Sequence, residues 1–122
     1  YQQTLTEQPF EFAALVVTRI ISQPDDTTLC CDLGHKSIAA ENPLPQRVSF
    51  LNAPELQPIG HSEEHLVLRA PQNHPYKTGD VLYGVPYHIC PTVALYDEAV
   101  TCTGNQIGTR WHIQARTRKL TV

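Results

Sequence analysis

Ten prolines and six glycines are spread along the chain, and their spacing limits the length of every regular element. Proline interrupts a helix because it lacks the backbone N–H and its ring collides with the preceding turn. The pattern therefore favours short strands joined by many turns over long helices. The 122 residues are enough for one hydrophobic core, so we expect a single domain over residues 1–122.

The strongest strand prediction covers residues 10–21, which read FEFAALVVTRII. Both faces of this stretch are apolar, as expected of a central strand in a barrel or sandwich, or of one covered by a partner. A turn at residues 23–26 and a strand over 27–32 complete a hairpin. Further strands are predicted at residues 47–52, 65–69, 81–85, 98–103 and 110–120, with irregular chain over 54–60. These elements predict an all-β fold, a mainly antiparallel β-barrel or sandwich.

The stretch PYHICP at residues 86–91 places His88 and Cys90 two positions apart. In an extended backbone their side chains point the same way, about 6.6 Å apart at Cα, so one metal ion fits between them. Imidazole and thiolate are both ordinary zinc ligands. Two ligands leave a site with positions open for water or substrate, or one completed by groups outside the motif. A rim histidine beside a buried thiol is the alternative, because short motifs often match by chance.

A short helix is predicted directly after this pair. Pro91 suits the first helical position, and the helix would run from Thr92 to about Tyr96. Cys90 would then cap the helix, where the helix dipole favours the thiolate that binds metal. Pro86 ends the preceding strand or lies at an edge, which puts the pair at the rim of the sheet.

Charge and composition exclude several classes of protein. The net charge of −3 argues against a general nucleic-acid binder. No apolar run approaches about 20 residues, so no membrane span is expected, and no signal-peptide pattern is present. The cysteines lack disulfide-scaffold spacing, which predicts a reduced, cytoplasmic protein, and Cys30, Cys31 and Cys102 are interpreted as small buried hydrophobes. The absence of methionine, in a chain that begins with Tyr1, indicates a fragment, a processed chain or one domain of a longer protein.

Five segments carry a resemblance: LVVTRIIS (15–22), CDLGHKSIAAENP (31–43), GHSEEH (60–65), GDVLYGVPYHICPTVALYD (79–97) and WHIQARTR (111–118). In this order they resemble the C-terminal β domain of the D-serine dehydratase and D-threonine aldolase family. They run over nearly the whole chain, and their order and spacing are more specific than the His–Cys pair alone.

The resemblance implies a pyridoxal phosphate (PLP) and metal-dependent enzyme with an alanine-racemase-like architecture. An N-terminal (β/α)8 barrel, absent from this chain, would carry PLP and its lysine, so Lys36 is not that lysine. His88 and Cys90 would bind the metal beside the cofactor. A metal-binding pair that contains cysteine is similar to the pair of D-serine dehydratases. A thiolate ligand favours zinc over manganese or magnesium. The implied partners are the barrel domain, a D-β-hydroxy amino acid substrate and a second subunit of a homodimer, and the isolated domain is expected to be inactive.

The remaining candidates for the active-site vicinity are Tyr87, Asp32, Lys36, Glu63, Glu64 and His65. By resemblance Asp32 and Lys36 lie near the active-site mouth, although a surface pair is the plainer interpretation. Residues 62–65 form either a turn with solvated carboxylates or an active-site or subunit-interface element. Tyr87 either contacts the substrate or packs against other residues of the domain.

Three hypotheses follow. The first is the metal-bearing β domain of a PLP-dependent lyase of D-serine dehydratase type, with D-threonine aldolase as a close variant. The second is a racemase or another PLP enzyme that keeps the β domain without using a metal. The third is a free-standing β-barrel binding module, with Trp111, Arg116 and Arg118 as its ligand face; otherwise the stripe of Arg110, Arg116 and Arg118 is a solvated strand face or a contact with the barrel domain.

Overall fold

The computed structural model describes residues 7–117 and 119–121 and is built almost entirely of antiparallel strands. In chain order the elements are β1 (Val16–Asp25), β2 (Thr28–Cys31), a 3₁₀ turn (Leu44–Gln46), β3 (Val48–Phe50), β4 (Gln57–His61), β5 (Leu66–Arg69), β6 (Val81–Pro86), α1 (Ile89–Val93), β7 (Glu98–Thr103), β8 (Gln106–His112) and a second 3₁₀ turn (Gln114–Thr117). None of the helices in the described ranges is long and apolar enough to cross a membrane.

Six strands form one curled sheet in the order β3–β6–β1–β2–β5–β4, and every neighbouring pair is antiparallel. The edge strands β3 and β4 approach each other, because Arg47, just before β3, contacts His61 at the end of β4. The sheet is thus a nearly closed barrel, and α1, the one short α-helix of the described residues, begins between His88 and Cys90. This confirms the predicted all-β fold.

The barrel interior is filled by alternating residues from each strand. Val48 and Phe50 point inward from β3, and Leu66 and Leu68 point inward from β5, all at most 2% exposed. Each such side chain contributes about 1.5–3 kcal/mol on burial, so the alternation alone supplies much of the force that closes the sheet.

The first strand begins six residues later than predicted and continues through the predicted turn. Val16 pairs with Gly84 of β6, and β6 ends at Pro86, so earlier residues have almost no partner strand. The turn lies at residues 26–27, where Asp25 Oδ1 accepts a hydrogen bond from Thr27 N–H at 2.8 Å. Irregular pairing between Ser22 and Asp25 accommodates Pro24, which was predicted to lie in a turn.

The outer face of β1 is exposed. Val17 is 65% exposed and Ile21 41% exposed, while Val16, Thr18 and Ile20 on the other face are buried. Burial on both faces is therefore not achieved within the described residues. Coverage of the outer face by a partner stays a prediction.

Two other strand predictions were wrong. Residues 57–61, expected to be irregular, form the edge strand β4, where Pro58 and Gly60 are tolerated beside a bulge. The last strand spans Gln106–His112 instead of 110–120. Among the described residues it pairs only with β7, across a turn in which Gly104 and Asn105 have positive φ. Part of the predicted arginine face therefore falls on a 3₁₀ turn.

The cysteine prediction holds for one of the three residues interpreted as buried. All four thiols are free. Cys31 is buried, and burial raises its pKa to about 12, so its thiol is inert at neutral pH. Cys30 is half-buried, and Cys102 is exposed because β7 belongs to the separate two-stranded hairpin.

Candidate functional site

His88 and Cys90 lie where β6 gives way to α1. His88 caps the helix in an extended conformation (φ −119°, ψ 97°), and Cys90 is the second helical residue. The prediction that Cys90 caps a helix starting at Pro91 was wrong. Proline costs no hydrogen bond anywhere in the first turn, because the first four N–H groups of a helix have no partner within it. The metal-site prediction assumed that an extended backbone points both side chains the same way. Only His88 is extended, so that assumption does not apply to Cys90.

The whole motif is open to solvent. Residues 87–90 are exposed, with Tyr87 at 45% and the His88 side chain at 50%. The preceding residues 84–86 are buried. The pair thus lies at the rim of the barrel, as predicted, and both donor side chains are accessible to a ligand.

His88 has a carboxylate neighbour that the sequence did not reveal. Its Nδ1 contacts Oε1 of Glu41, which comes from the loop between β2 and β3. The backbone N–H of Glu41 itself lowers the pKa of its carboxyl group most; burial opposes this effect, and His88 and Arg47 lower the pKa further, so that it lies below its usual value. Because a carboxylate can only accept, the Nδ1 of a neutral His88 ring carries the proton and Nε2 is left as the donor atom for another ligand.

Helix α1 is fastened to the loop that carries Glu41. Thr92 is buried, at 2% exposed; its Oγ1 accepts a hydrogen bond from Ala39 N–H at 3.1 Å and donates one to the carbonyl of His88 at 2.8 Å. Tyr96 donates from its hydroxyl to the carbonyl of Ser37 at 2.7 Å. Burial raises the pKa of Tyr96, and the charge of Asp32 adds to this effect. These contacts fix the position of the His–Cys pair relative to the loop.

Asp32 and Lys36 do not form the predicted surface pair. Asp32 Oδ1 accepts hydrogen bonds from the hydroxyl of Thr18 at 2.5 Å and from Arg19 N–H at 2.7 Å. Burial raises the pKa of Asp32, but these two hydrogen bonds, together with its own backbone N–H and the charge of Arg19, lower the pKa below its usual value overall. Asp32 follows β2, and its backbone lies beside β1. Its side chain therefore links the end of β2 to β1.

Lys36 instead pairs with the turn between β4 and β5. Its Nζ lies 2.7 Å from Glu64 Oε1 and 3.4 Å from Glu63 Oε1. The hydrogen bonds to Glu64 and then Glu63 raise the pKa of Lys36, and Lys36 lowers the pKa of Glu64. His65 is exposed and closes the turn with Ser62, whose N–H donates to the carbonyl of His65 at 2.9 Å. This is a turn with solvated carboxylates, and its closeness to an active site stays a prediction.

Gly34 allows this turn to approach the loop. The carbonyl of Ser62 accepts from His35 N–H at 2.9 Å, and the carbonyl of Glu63 accepts from Lys36 N–H at 3.2 Å. A Cβ on Gly34 would lie 2.1 Å from the carbonyl oxygen of Glu63. Only glycine fits there, so the segments CDLGHK and GHSEEH are joined through their backbones.

The donor set fits part of a zinc site. Within residues 7–117 and 119–121 no group of three or more His, Cys, Asp or Glu side chains could hold a metal ion. An imidazole whose second nitrogen donates to a carboxylate is nevertheless the usual arrangement of a metal-binding histidine. With the exposed thiol of Cys90 it offers two ligands for zinc, and the others would come from water, substrate or groups outside the described residues.

Other candidate positions do not add to this set. Arg110 pairs with Glu98 at 3.0 Å across the β7–β8 hairpin, and Arg116 pairs with Asp97 at 2.6 Å. Both are bound to surface carboxylates, as a solvated face predicts, and Arg118 lies outside the described residues. An open polar depression of about 250 Å³ contains none of the predicted site residues and is lined by Gln23, Asp26, Gln72, Asn73 and His74.

Comparison with known sequences gives one family and one curated relative. The family described as "Putative serine dehydratase domain" matches residues 13–102. A D-threonine aldolase from an Arthrobacter species is 32% identical over 108 residues, which cover 88% of this chain and 28% of the aldolase.

Comparison with solved structures gives the same architecture. The D-threonine aldolase of Filomicrobium marinum superposes with a TM-score of 0.79 at 23% identity, over 90% of this chain and 30% of that enzyme. A D-threo-3-hydroxyaspartate dehydratase with a histidine-to-alanine substitution gives 0.64 at 19% identity, over 80% of this chain and 30% of that one. A metal-free form of D-threo-3-hydroxyaspartate dehydratase has a cysteine two positions further along changed to alanine. It superposes with a TM-score of 0.64 at 18% identity, over 81% of this chain and 31% of that enzyme. The chain spans about three tenths of the length of these proteins.

Proposed function

Because the chain belongs to the serine dehydratase domain family, which matches it over residues 13–102, we propose that it is the metal-binding β domain of a PLP-dependent lyase acting on a D-β-hydroxy amino acid. The reaction proposed first is the dehydration of D-serine. The observation that carries the proposal is the exposed His88–Cys90 pair at the barrel rim, in a family with lyase relatives. In the related dehydratase, a histidine and a cysteine with the same spacing were the residues replaced, and the cysteine variant is described as metal-free.

The proposed metal is zinc, bound through Nε2 of His88 and Sγ of Cys90. A soft thiolate favours zinc over manganese or magnesium. When bound, zinc supplies a Lewis acid for the β-hydroxyl group, and PLP supplies an electron sink. The residues of this chain hold the two ligands at the rim, and Thr92 fixes the backbone of His88 through its carbonyl.

The remainder of the protein is proposed to carry PLP. The relatives are about three times as long as this chain, which leaves room for an N-terminal barrel domain with the PLP lysine. Lys36 is a poor candidate for that lysine because Glu64 and Glu63 bind its amine. The exposed outer face of β1 is proposed to pack on the barrel domain or on a second subunit of a homodimer. The free thiols fit a reducing, cytoplasmic location.

Metal analysis of the full-length protein tests the proposal. We expect about one zinc per chain in the wild type, and loss of zinc and of turnover in His88→Ala and Cys90→Ala. Cys102→Ala is the matched control, because it removes another exposed thiol on the separate hairpin. A metal-free Cys90→Ala protein with full turnover would overturn the proposal. A metal-free wild type with racemase activity would favour the racemase hypothesis instead.

D-Threonine aldolase activity is the second candidate, and the Arthrobacter relative favours it. Dehydration of D-serine yields pyruvate and ammonia, whereas aldol cleavage of D-threonine yields glycine and acetaldehyde. Supplying the full-length protein with each amino acid and measuring these products separates the two reactions. Family membership favours either lyase over a free-standing binding module.

A further inference from the structure

We infer that Glu41 is a positioning residue that fixes the ring of His88 in the tautomer needed for metal binding, an inference that rests on the proposed zinc site. The two side chains meet across 47 positions of sequence, Oε1 of Glu41 against Nδ1 of His88. The carboxylate accepts, so the proton of the neutral ring lies on Nδ1 and the lone pair on Nε2. This arrangement also sets the orientation of the ring plane.

The fold holds both partners of this contact in place. The buried hydroxyl of Thr92 joins the backbone N–H of Ala39, two residues before Glu41, to the carbonyl of His88 itself. On the other side of Glu41, the carbonyl of Asn42 accepts a hydrogen bond from Arg47 Nε at 2.8 Å. The backbone around Glu41 is thus anchored on both sides, which distinguishes this pair from an isolated surface ion pair.

Two other roles for Glu41 make different predictions. An ordinary half-exposed ion pair contributes little and leaves the ligand properties of His88 unchanged. A direct metal ligand needs its negative charge, so Glu41→Gln would weaken zinc binding as much as Glu41→Ala. A positioning residue needs only an acceptor oxygen, so Glu41→Gln would retain much of the effect and Glu41→Ala would lose it.

The first measurement is made on the metal-free full-length protein labelled with ¹⁵N-histidine. The His88 signals are assigned by their absence in His88→Ala. We expect the Nδ1–H tautomer in the wild type and in Glu41→Gln, and a shift toward the Nε2–H tautomer in Glu41→Ala. Glu55→Ala is the matched control, because Glu55 also accepts a side-chain hydrogen bond, but from Tyr76.

The second measurement is the zinc dissociation constant, obtained by competition with a chromophoric chelator. Glu41→Ala is expected to weaken zinc binding about 10- to 100-fold, Glu41→Gln clearly less, and Glu55→Ala not at all. An unchanged tautomer in Glu41→Ala, or equal losses of zinc affinity in the Ala and Gln variants, would overturn the inference. If the tautomer shifts as expected while the wild type binds no zinc, ring positioning is supported and the proposed metal site fails.

Discussion

Arg47 donates from Nη1 to Nδ1 of His61 over 2.9 Å, and this contact joins the two edge strands of the curled sheet. The other ring nitrogen, Nε2, donates to the carbonyl of Leu33 at 3.0 Å. A ring that accepts from a guanidinium at Nδ1 and donates at Nε2 is neutral. The barrel is therefore closed at this point by an uncharged histidine.

This contact predicts a loss of stability in mild acid. Burial lowers the pKa of His61, the Leu33 carbonyl opposes the effect, and the charge of Arg47 lowers the pKa further. Its folded-state pKa thus lies below the reference value of 6.5, so the unfolded chain binds more protons between the two values. The contribution of His61 to stability is full above the reference pKa and is lost as the pH falls through the folded-state pKa.

Urea unfolding midpoints measured from about pH 8 to about pH 5 check this expectation. We expect the wild type to lose stability over this range and His61→Leu to show a smaller dependence on pH. His65→Leu is the control, since His65 is an exposed histidine in the turn that follows β4. The same pH dependence in wild type and His61→Leu would contradict the argument.

Gly34→Ala is expected to destabilise the protein by at least about 2 kcal/mol. The new Cβ would collide with backbone atoms of Glu63 and Glu64, which cannot move aside as a flexible side chain could. Separating the two segments also breaks the hydrogen bonds from His35 and Lys36 to the turn. The free energy of unfolding from urea titration measures the effect.

Gly60→Ala is the matched control for this substitution. Its Cβ would meet only Val67, at 3.4 Å, which is an ordinary contact. We expect a change within about 0.5 kcal/mol. Similar losses at both glycines would show that the close approach at Gly34 is not the cause.

The strand faces were predictable where alternation encodes them. Val48 and Phe50 lie on either side of the polar Ser49, and the sheet buries both. The limits of β1 were not predictable, because they depend on where β6 ends, far along the chain at Pro86. The edge strand β4 was missed because Pro58 and Gly60 are normally strand breakers, and only its edge position makes them acceptable.

The candidate site also has features that the sequence predicts and features that it does not. The local pattern predicts the His88–Cys90 pair, its rim position and a helix beside it. The contacts that orient the pair come from the loop between β2 and β3, and no periodicity links Glu41 to His88 or Ala39 to Thr92. The helix start was also missed, because proline is equally acceptable at several positions of the first turn.

Thr92→Val is expected to cost about 1–3 kcal/mol of stability, because it leaves the buried N–H of Ala39 without an acceptor. Thr92→Ser keeps the hydroxyl and loses one methyl group, at a cost of about 1 kcal/mol. Chemical denaturation compares the two variants. A valine variant as stable as the serine variant would show that the hydroxyl does not fasten α1 to the loop.

Cys90→Asp is expected to change which metal the proposed site prefers. Replacing a soft thiolate with a hard carboxylate lowers the affinity for zinc and raises the relative affinity for manganese or magnesium. Equilibrating metal-stripped full-length wild type and variant with an equimolar zinc and manganese mixture, followed by elemental analysis, gives the ratio directly. Cys102→Asp is the control on the separate hairpin, and a zinc-to-manganese ratio that changes equally in both variants would place the metal elsewhere than on Cys90.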